Sequence, residues 1–289
     1  MNLIDCDYIE DYEGNFYIVK GYWNKDFVLC NKVFSPDENG GRYNKETGKK
    51  YSKVINNNFE LSKVSHCNIK RIFKPAECLK AKISELNSKW KELVDYLIET
   101  GIPENKIGIF GSQLIGFEMV KDYDFVVYGK ENCRSLIEKI EGLKSKLKIT
   151  GITKEHINYQ TEKYGKFHSP KYNSFEKMLK NKWSSLQFGK GILSTIRFVY
   201  GEDEIPENPF KYSIKYETES EGIVIDDFET NFCPRSFLIK TNSGIKKVST
   251  YYWAYQSCVK KGMKVKIKAN ERENRTLTID SPNQGVKIL

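Results

Sequence analysis

Ile107-Gly108-Ile109-Phe110-Gly111-Ser112, followed after nine residues by Asp122-Tyr123-Asp124-Phe125-Val126-Val127-Tyr128-Gly129, is the stretch on which the fold of this chain turns. The first piece is a short apolar strand ending at Gly-Ser. The second opens with two carboxylates and continues as an apolar strand. On a strand, residues i and i+2 share a face and stand roughly 6–7 Å apart. Asp122 and Asp124 therefore point together, while Tyr123, Phe125 and Val127 face the other way, toward a core. Glycine lets the backbone take positive φ and come close to a phosphate. A serine hydroxyl and the N–H groups opening a short following helix, expected through Phe117, can bind phosphate oxygens. Ser112 also suits the N-cap of that helix. Two carboxylates on one face suit a hard divalent cation such as Mg²⁺, which can neutralise a triphosphate and its departing pyrophosphate. A lone Gly-Ser or a lone Asp-x-Asp carries little; their order, spacing and position at strand ends carry the signal.

The flanking sequence supports an α/β reading of this region. Leu79, Ile83, Leu86, Trp90, Leu93, Val94, Leu97 and Ile98 recur at three- and four-residue steps, one buried helical stripe that Gly101 and Pro103 end. A second amphipathic helix spans about 132–147, with Leu136, Ile137, Ile140, Leu143 and Leu147 on one side. Residues 79–147 thus read helix, strand, turn, helix, strand, helix. Residues 148–172 read as irregular and Tyr-rich, 174–183 as a helix carrying Phe175, Met178, Leu179 and Trp183, and Leu193 to Tyr200 as a strand. The acids and prolines of Glu202 to Phe210 mark a boundary.

Both ends of the chain read as β. Phe16 to Val19, Phe27 to Leu29 and Tyr51 to Ile55 are apolar or β-branched runs between turn-rich stretches. Beyond residue 210, Tyr212, Ile214 and Tyr216 alternate with polar residues, as do Val265, Ile267 and Ala269 with Lys264, Lys266 and Lys268. About five strands in this span fit a small OB-like barrel. The expected division is a small β domain over 1–75, a core of mixed sheet and helices over 76–205, and a β-barrel over 206–289. The fold class is α+β or α/β.

Composition narrows the partners. The 289 residues include 47 basic and 38 acidic ones, a net charge of +9, which favours polyanions. Lys264, Lys266 and Lys268 read either as the solvated face of a half-buried strand or as a basic face for nucleic acid. Tyr251, Tyr252, Trp253 and Tyr255 read as barrel core or as base-stacking aromatics. Gly189-Lys190-Gly191 lacks the remaining spacing of a phosphate loop and reads as a turn. The seven cysteines include no C-x-x-C pair, which points to free thiols in a reducing cytoplasm. The first residues lack the pattern of a signal peptide, and no apolar run approaches the 18 residues of a membrane span.

Residues 107–129 resemble the signature of the polymerase-β-type nucleotidyltransferase superfamily, and the helices before and after agree with its minimal core. The whole chain is also similar to a group of prokaryotic, notably archaeal, nucleotidyltransferase-domain proteins with β regions on both sides of that core. Lys182-Trp183 and Ile196-Arg197-Phe198-Val199 fit that group as well. The resemblance implies Asp122 and Asp124 as catalytic ligands of Mg²⁺ (or Mn²⁺), with Gly111 and Ser112 at the β- and γ-phosphates of an NTP substrate. It also implies a third carboxylate on a later strand. There the sequence departs from the pattern. Arg197 stands where an acid is expected, Leu147 to Ile152 contains none, and Glu202, Asp203 and Glu204 lie just beyond, in a turn. Arg197 could instead neutralise phosphate charge, as a nucleotide-binding residue. The expected activity is Mg²⁺-dependent transfer of an NMP or dNMP to an acceptor hydroxyl. RNA or DNA is the leading acceptor, with protein and small molecules open. The alternative is a degenerate core in a nucleic-acid-binding or partner-binding module.

Overall fold

The computed structural model describes residues 2–54, 61–86, 88–118, 124–165, 174–188 and 192–289. The chain is mixed α+β, with three sheets and five α-helices among those residues. It divides into two compact units. The first comprises Met1–Asn56, Leu61–Thr150 and Ser185–Ile205, and the second Asn57–Glu60, Gly151–Ser184 and Pro206–Leu289. No helix among the described residues is long and apolar enough to cross a membrane.

The first unit holds two sheets. Strands β1 (Tyr8–Asp11), β2 (Phe16–Val19), β3 (Val28–Pro36), β4 (Arg42–Asn44), β5 (Lys49–Lys53), β6 (Ser62–Val64) and β7 (Ile69–Phe73) form one, in the order β4-β5-β3-β2-β1-β7 with β6 on β3. Helices α1 (Pro75–Lys82) and α2 (Ser88–Glu99) follow. The continuous apolar stripe predicts one helix here, but a 3₁₀ turn over Ile83–Glu85 and an extended Leu86 separate the two. Serine at positions 84 and 88 lowers the helix preference on either side of the break, because a serine side chain can compete for backbone hydrogen bonds.

The second sheet of this unit carries the decisive stretch. It contains β8 (Ile107–Phe110), β9 (Asp124–Tyr128), β10 (Ser185–Phe188) and β11 (Ile192–Val199), in the order β10-β11-β9-β8. β9 is antiparallel to β8 and parallel to β11. Phe125, Val126 and Val127 are all fully buried, so β9 is covered on both faces beyond Asp124. Helix α3 (Lys130–Lys146) follows β9 and buries Cys133, Leu136, Ile140 and Leu143. α1 lies against β8 because residue 108 is glycine: a Cβ there would come within 2.7 Å of the Pro75 backbone.

The second unit contains α4 (Lys154–Tyr164), α5 (Phe175–Lys180) and strands β12 (Ile214–Asp226), β13 (Arg235–Thr241), β14 (Gly244–Thr250), β15 (Lys264–Arg272), β16 (Leu277–Ile279) and β17 (Gly285–Ile288). The strand order is β12-β13-β14-β16-β15-β17, and β12 also pairs along its length with β15. Pairing therefore returns on itself through five strands, with β14 and β16 parallel. Phe237, Ile239, Val248, Val265, Ile267, Leu277 and Val286 form its apolar interior with Phe175, Met178 and Leu179 of α5. α4 falls in the span expected to be irregular. Thr153 caps it, accepting from the His156 N–H at 3.4 Å, and of its apolar side chains only Ile157 is described as buried, so it shows no stripe. Gly189-Lys190-Gly191 lies outside the described residues.

Candidate functional site

The site begins where β8 ends. Phe110 pairs directly with Asp124, the first residue of β9. The next residue, Gly111, has φ +82°, and a Cβ on it would stand 3.3 Å from Asp124 Oδ2. Two constraints therefore select glycine here: left-handed backbone and the proximity of a carboxylate. Asp124 Oδ1 accepts from the Thr195 N–H of β11 at 2.9 Å, which orients the carboxylate. The strand-end turn and the strand that bears Asp124 meet at this point. Asp122 lies outside the described residues.

The turn after Gly111 is shorter than expected. Gly111–Gln113 is one 3₁₀ turn, and Phe110, not Ser112, holds the cap position, without a side-chain cap. Ser112 is half-buried, and its carbonyl accepts from the Phe117 N–H at 3.1 Å. The segment is then captured by the first sheet of the same unit. Asn44 bridges to Phe117, and Asn44 Nδ2 donates to the Ile115 carbonyl at 2.6 Å. Lys82 Nζ donates to the Gln113 carbonyl at 3.1 Å, which brings a cation to the turn.

Arg197 sits on β11 opposite Val126. Its guanidinium lies 4.8 Å from the centre of the Phe110 ring, and Nε and Nη1 are buried without hydrogen-bond partners. Burial works against its charge, but Cys6, Tyr8, Asp5 and Asp124 outweigh burial and hold it protonated above the ordinary arginine range. Asp5 is the acid that sequence reasoning missed. It is 1% exposed, accepts from the Gly21 N–H at 3.3 Å and from the Cys6 thiol at 3.3 Å, and acts on Arg197. The residues before β1 offered no motif, and only the tertiary fold brings them here.

The acids beyond β11 are placed elsewhere. Glu204 accepts from the Lys130 N–H at 2.9 Å and from the Gly201 N–H at 2.8 Å, at the start of α3. That is the far end of β9 from Asp124, about 16 Å along a five-residue extended run. None of Glu202, Asp203 and Glu204 supplies the third carboxylate in this arrangement. Among the described residues, no three His, Cys, Asp or Glu side chains are grouped to hold a metal ion. Asp124 alone of the two expected ligands is described, and it offers one oriented carboxylate.

In the second unit, the Lys264–Lys268 strand is part of a cross-strand ladder. Lys266 pairs with Glu219 at 3.0 Å and Glu221 at 3.7 Å, and Lys268 pairs with Glu217 at 2.9 Å. The ordinary reading holds for these two lysines, because β12 neutralises them. Tyr252 and Tyr255 are buried in the core, and Tyr251 stacks on Phe210 at 4.6 Å. None of the seven cysteines forms a disulfide, and six of them are buried. No protein-family model, no curated protein and no solved structure matches the chain.

Proposed function

We propose that the first unit is a nucleotidyltransferase-type core that moves an NMP from an NTP to an acceptor hydroxyl, most readily one on nucleic acid. The observation that carries this reading is the convergence of Gly111 and Asp124 at paired strand ends, with the Arg197 guanidinium on the adjoining strand. Asp122 and Asp124 would hold Mg²⁺, which when bound supplies charge neutralisation at the triphosphate and lowers the pKa of the attacking hydroxyl. Gly111 gives the backbone room at the β- and γ-phosphates, with Ser112 beside it. Arg197 contributes a fixed positive charge whose Nε and Nη1 have no acceptor within the chain. In the reaction the acceptor oxygen bonds to the α-phosphorus as the bond to the pyrophosphate oxygen breaks. The strand order of the second unit, closed through β12 and β15 with β14 parallel to β16, supports an OB-like barrel. Such a barrel suits the presentation of an oligonucleotide.

One observation favours a second reading. Arg197, near Asp124, occupies the strand on which the resemblance expects a third acid. A core of that kind would hold a nucleotide or nucleic acid without transferring it. Transfer of label from α-labelled NTPs to total RNA, short DNA and cellular protein separates the two readings. Mg²⁺-dependent labelling that disappears in Asp122→Ala/Asp124→Ala supports the enzyme and names its acceptor. No labelling, with nucleotide binding intact, supports the binding module.

A further inference from the structure

Strand β12 runs further than β13 can follow it. On one edge β12 pairs with β15 from Ile214 opposite Arg272 to Ile223 opposite Lys264. On the other edge β13 meets it only from Ile223 to Asp226. Gly222 marks where β13 leaves: a Cβ there would stand 2.6 Å from the Lys240 carbonyl oxygen, and β13 turns into β14 after Thr241. Among the described residues, no strand pairs with the second edge of residues 214–221. Successive residues of a strand point their N–H and C=O groups to opposite edges, so about half of this run aims them at the open one. The run is roughly 27 Å long. Ile214 and Tyr216 are 51% and 54% exposed, and Lys215, Glu217, Glu219 and Glu221 are exposed as well.

The side chains select what can pair there. Val265, Ile267 and Ala269 of β15 are buried, so Lys266 and Lys268 lie on the outer face, with Glu221 and Glu219 opposite them and Glu217 next along the same face. Lys266 holds Glu219 and Glu221, Lys268 holds Glu217, and Gln284 Nε2 donates to Glu217 at 3.2 Å. Three carboxylates thus face two lysines, and the row beside the open edge keeps an excess of negative charge. A second copy of β12 paired on this edge, outer face with outer face, would set glutamates opposite or diagonal to glutamates. The same row disfavours a nucleic-acid phosphate backbone at this edge. A strand with lysine or arginine at every second position instead repeats the pattern that β15 already presents to β12.

We propose that the open edge of β12 takes an extended peptide segment of a protein partner as an added strand, with basic residues at alternate positions beside Glu217, Glu219 and Glu221. Main-chain hydrogen bonds supply the affinity, and the alternating charges supply the choice of partner. They also set the register, because a slip of one residue carries every basic side chain to the other face. The acids have a second effect: they protect a long strand edge against indiscriminate pairing. This edge belongs to the second unit and does not depend on the nucleotidyltransferase reading of the first.

The probe is a synthetic peptide with the sequence of Lys264–Arg272 and blocked ends, added to the full chain. Saturable binding is expected, with hydrogen exchange slowed at alternate amides of residues 214–221. Two N-methylated peptides test the geometry. Methyl groups on one set of alternate amides should weaken binding by about tenfold or more, and on the other set by no more than about twofold, because only one set faces the protein. A peptide of the same composition with its lysines consecutive should bind about tenfold more weakly, and Glu221→Lys should weaken binding of the parent peptide about fivefold. The proposal is overturned if the peptide does not saturate, if both methylated peptides bind like the parent, or if protection falls outside residues 214–221. It is overturned as well if the peptide displaces β15, seen as lost protection in Lys264–Arg272, or if the chain pairs with itself or with an oligonucleotide through these same amides. The peptide series acts on the parent chain and decides the matter even where Glu221→Lys does not fold.

Discussion

Arg197 in the first unit and Arg235 in the second share one property and differ in another. Each buries Nε and Nη1 without a hydrogen-bond acceptor. Around Arg197 the acting charges are anionic or acidic: Asp5, Asp124, Cys6 and Tyr8. Arg235 has one long contact instead, its Nη2 donating to Gln256 Oε1 at 3.4 Å. A buried guanidinium beside carboxylates is compensated by charge from within the chain, whereas Arg235 meets a neutral amide oxygen. Arg197 is thus held charged beside Asp124, with Nε and Nη1 still lacking an acceptor within the chain.

The comparison breaks most decisively at Arg197. Arg197→Met leaves Asp5 and Asp124 without their counter-charge, and we expect a loss of about 3–5 kcal/mol of stability, read by urea unfolding. A neutral result would mean that the carboxylates are compensated by other groups. Electrostatics in the first unit also carries a pH dependence. Asp7 is fully buried; burial raises its carboxyl from 3.8 to about 6, with Lys74 working against the rise. Because the folded value lies above the unfolded one, the folded chain holds an extra proton between these values. The stabilising contribution is complete below pH 3.8 and is lost as pH rises through 6, a change on the order of 3 kcal/mol. Subtracting the Asp7→Asn unfolding curve from wild type at pH 4, 5, 6 and 7 isolates this slope, and a flat difference rules it out.

Arg235→Met is expected to behave oppositely to Arg197→Met. It should leave stability unchanged or raise it by about 1–4 kcal/mol, since it removes a buried charge and only one long hydrogen bond, to Gln256. A large loss would place Arg235 with Arg197 as a structural charge and erase the distinction. Gly111→Ala tests the strand-end turn, with an expected cost of about 1–3 kcal/mol from left-handed backbone and the contact with Asp124, together with weaker nucleotide binding. The smallest effect is expected at Lys268→Gln, which removes an exposed ion pair with Glu217 and costs less than about 1 kcal/mol. If nucleic-acid affinity fell sharply in that variant, the ladder would be a binding face after all.

How much of this was legible in the sequence depended on how local the signal was. β8, Gly111 and β9 were visible because a short apolar run, a glycine and a second apolar run are contiguous features. Arg197 was noticeable as a charge between Ile196 and Phe198, but its partners Asp5, Cys6 and Tyr8 lie at the other end of the chain and leave no periodic trace. The ion-pair ladder was present in both halves, Glu217-x-Glu219-x-Glu221 and Lys264-x-Lys266-x-Lys268, and only the antiparallel register of β12 on β15 brings them together. α4 escaped because a helix with one strongly buried position has no stripe, although Thr153 and Glu155 marked its start. Arg235 sits beside Cys233-Pro234 with nothing nearby to distinguish it from a surface arginine.

The nucleotidyltransferase reading of the first unit requires a triphosphate at Gly111, Asp124 and Arg197, so equilibrium binding of an NTP tests it most directly. Calorimetric titration of ATP should show saturable binding to wild type that tightens with Mg²⁺. Asp124→Asn should lose the Mg²⁺ dependence, and Arg197→Lys should bind about tenfold more weakly, because a lysine cannot reproduce the guanidinium's planar set of donors. No binding to wild type, or equal binding by all three forms, would contradict the assignment of this site.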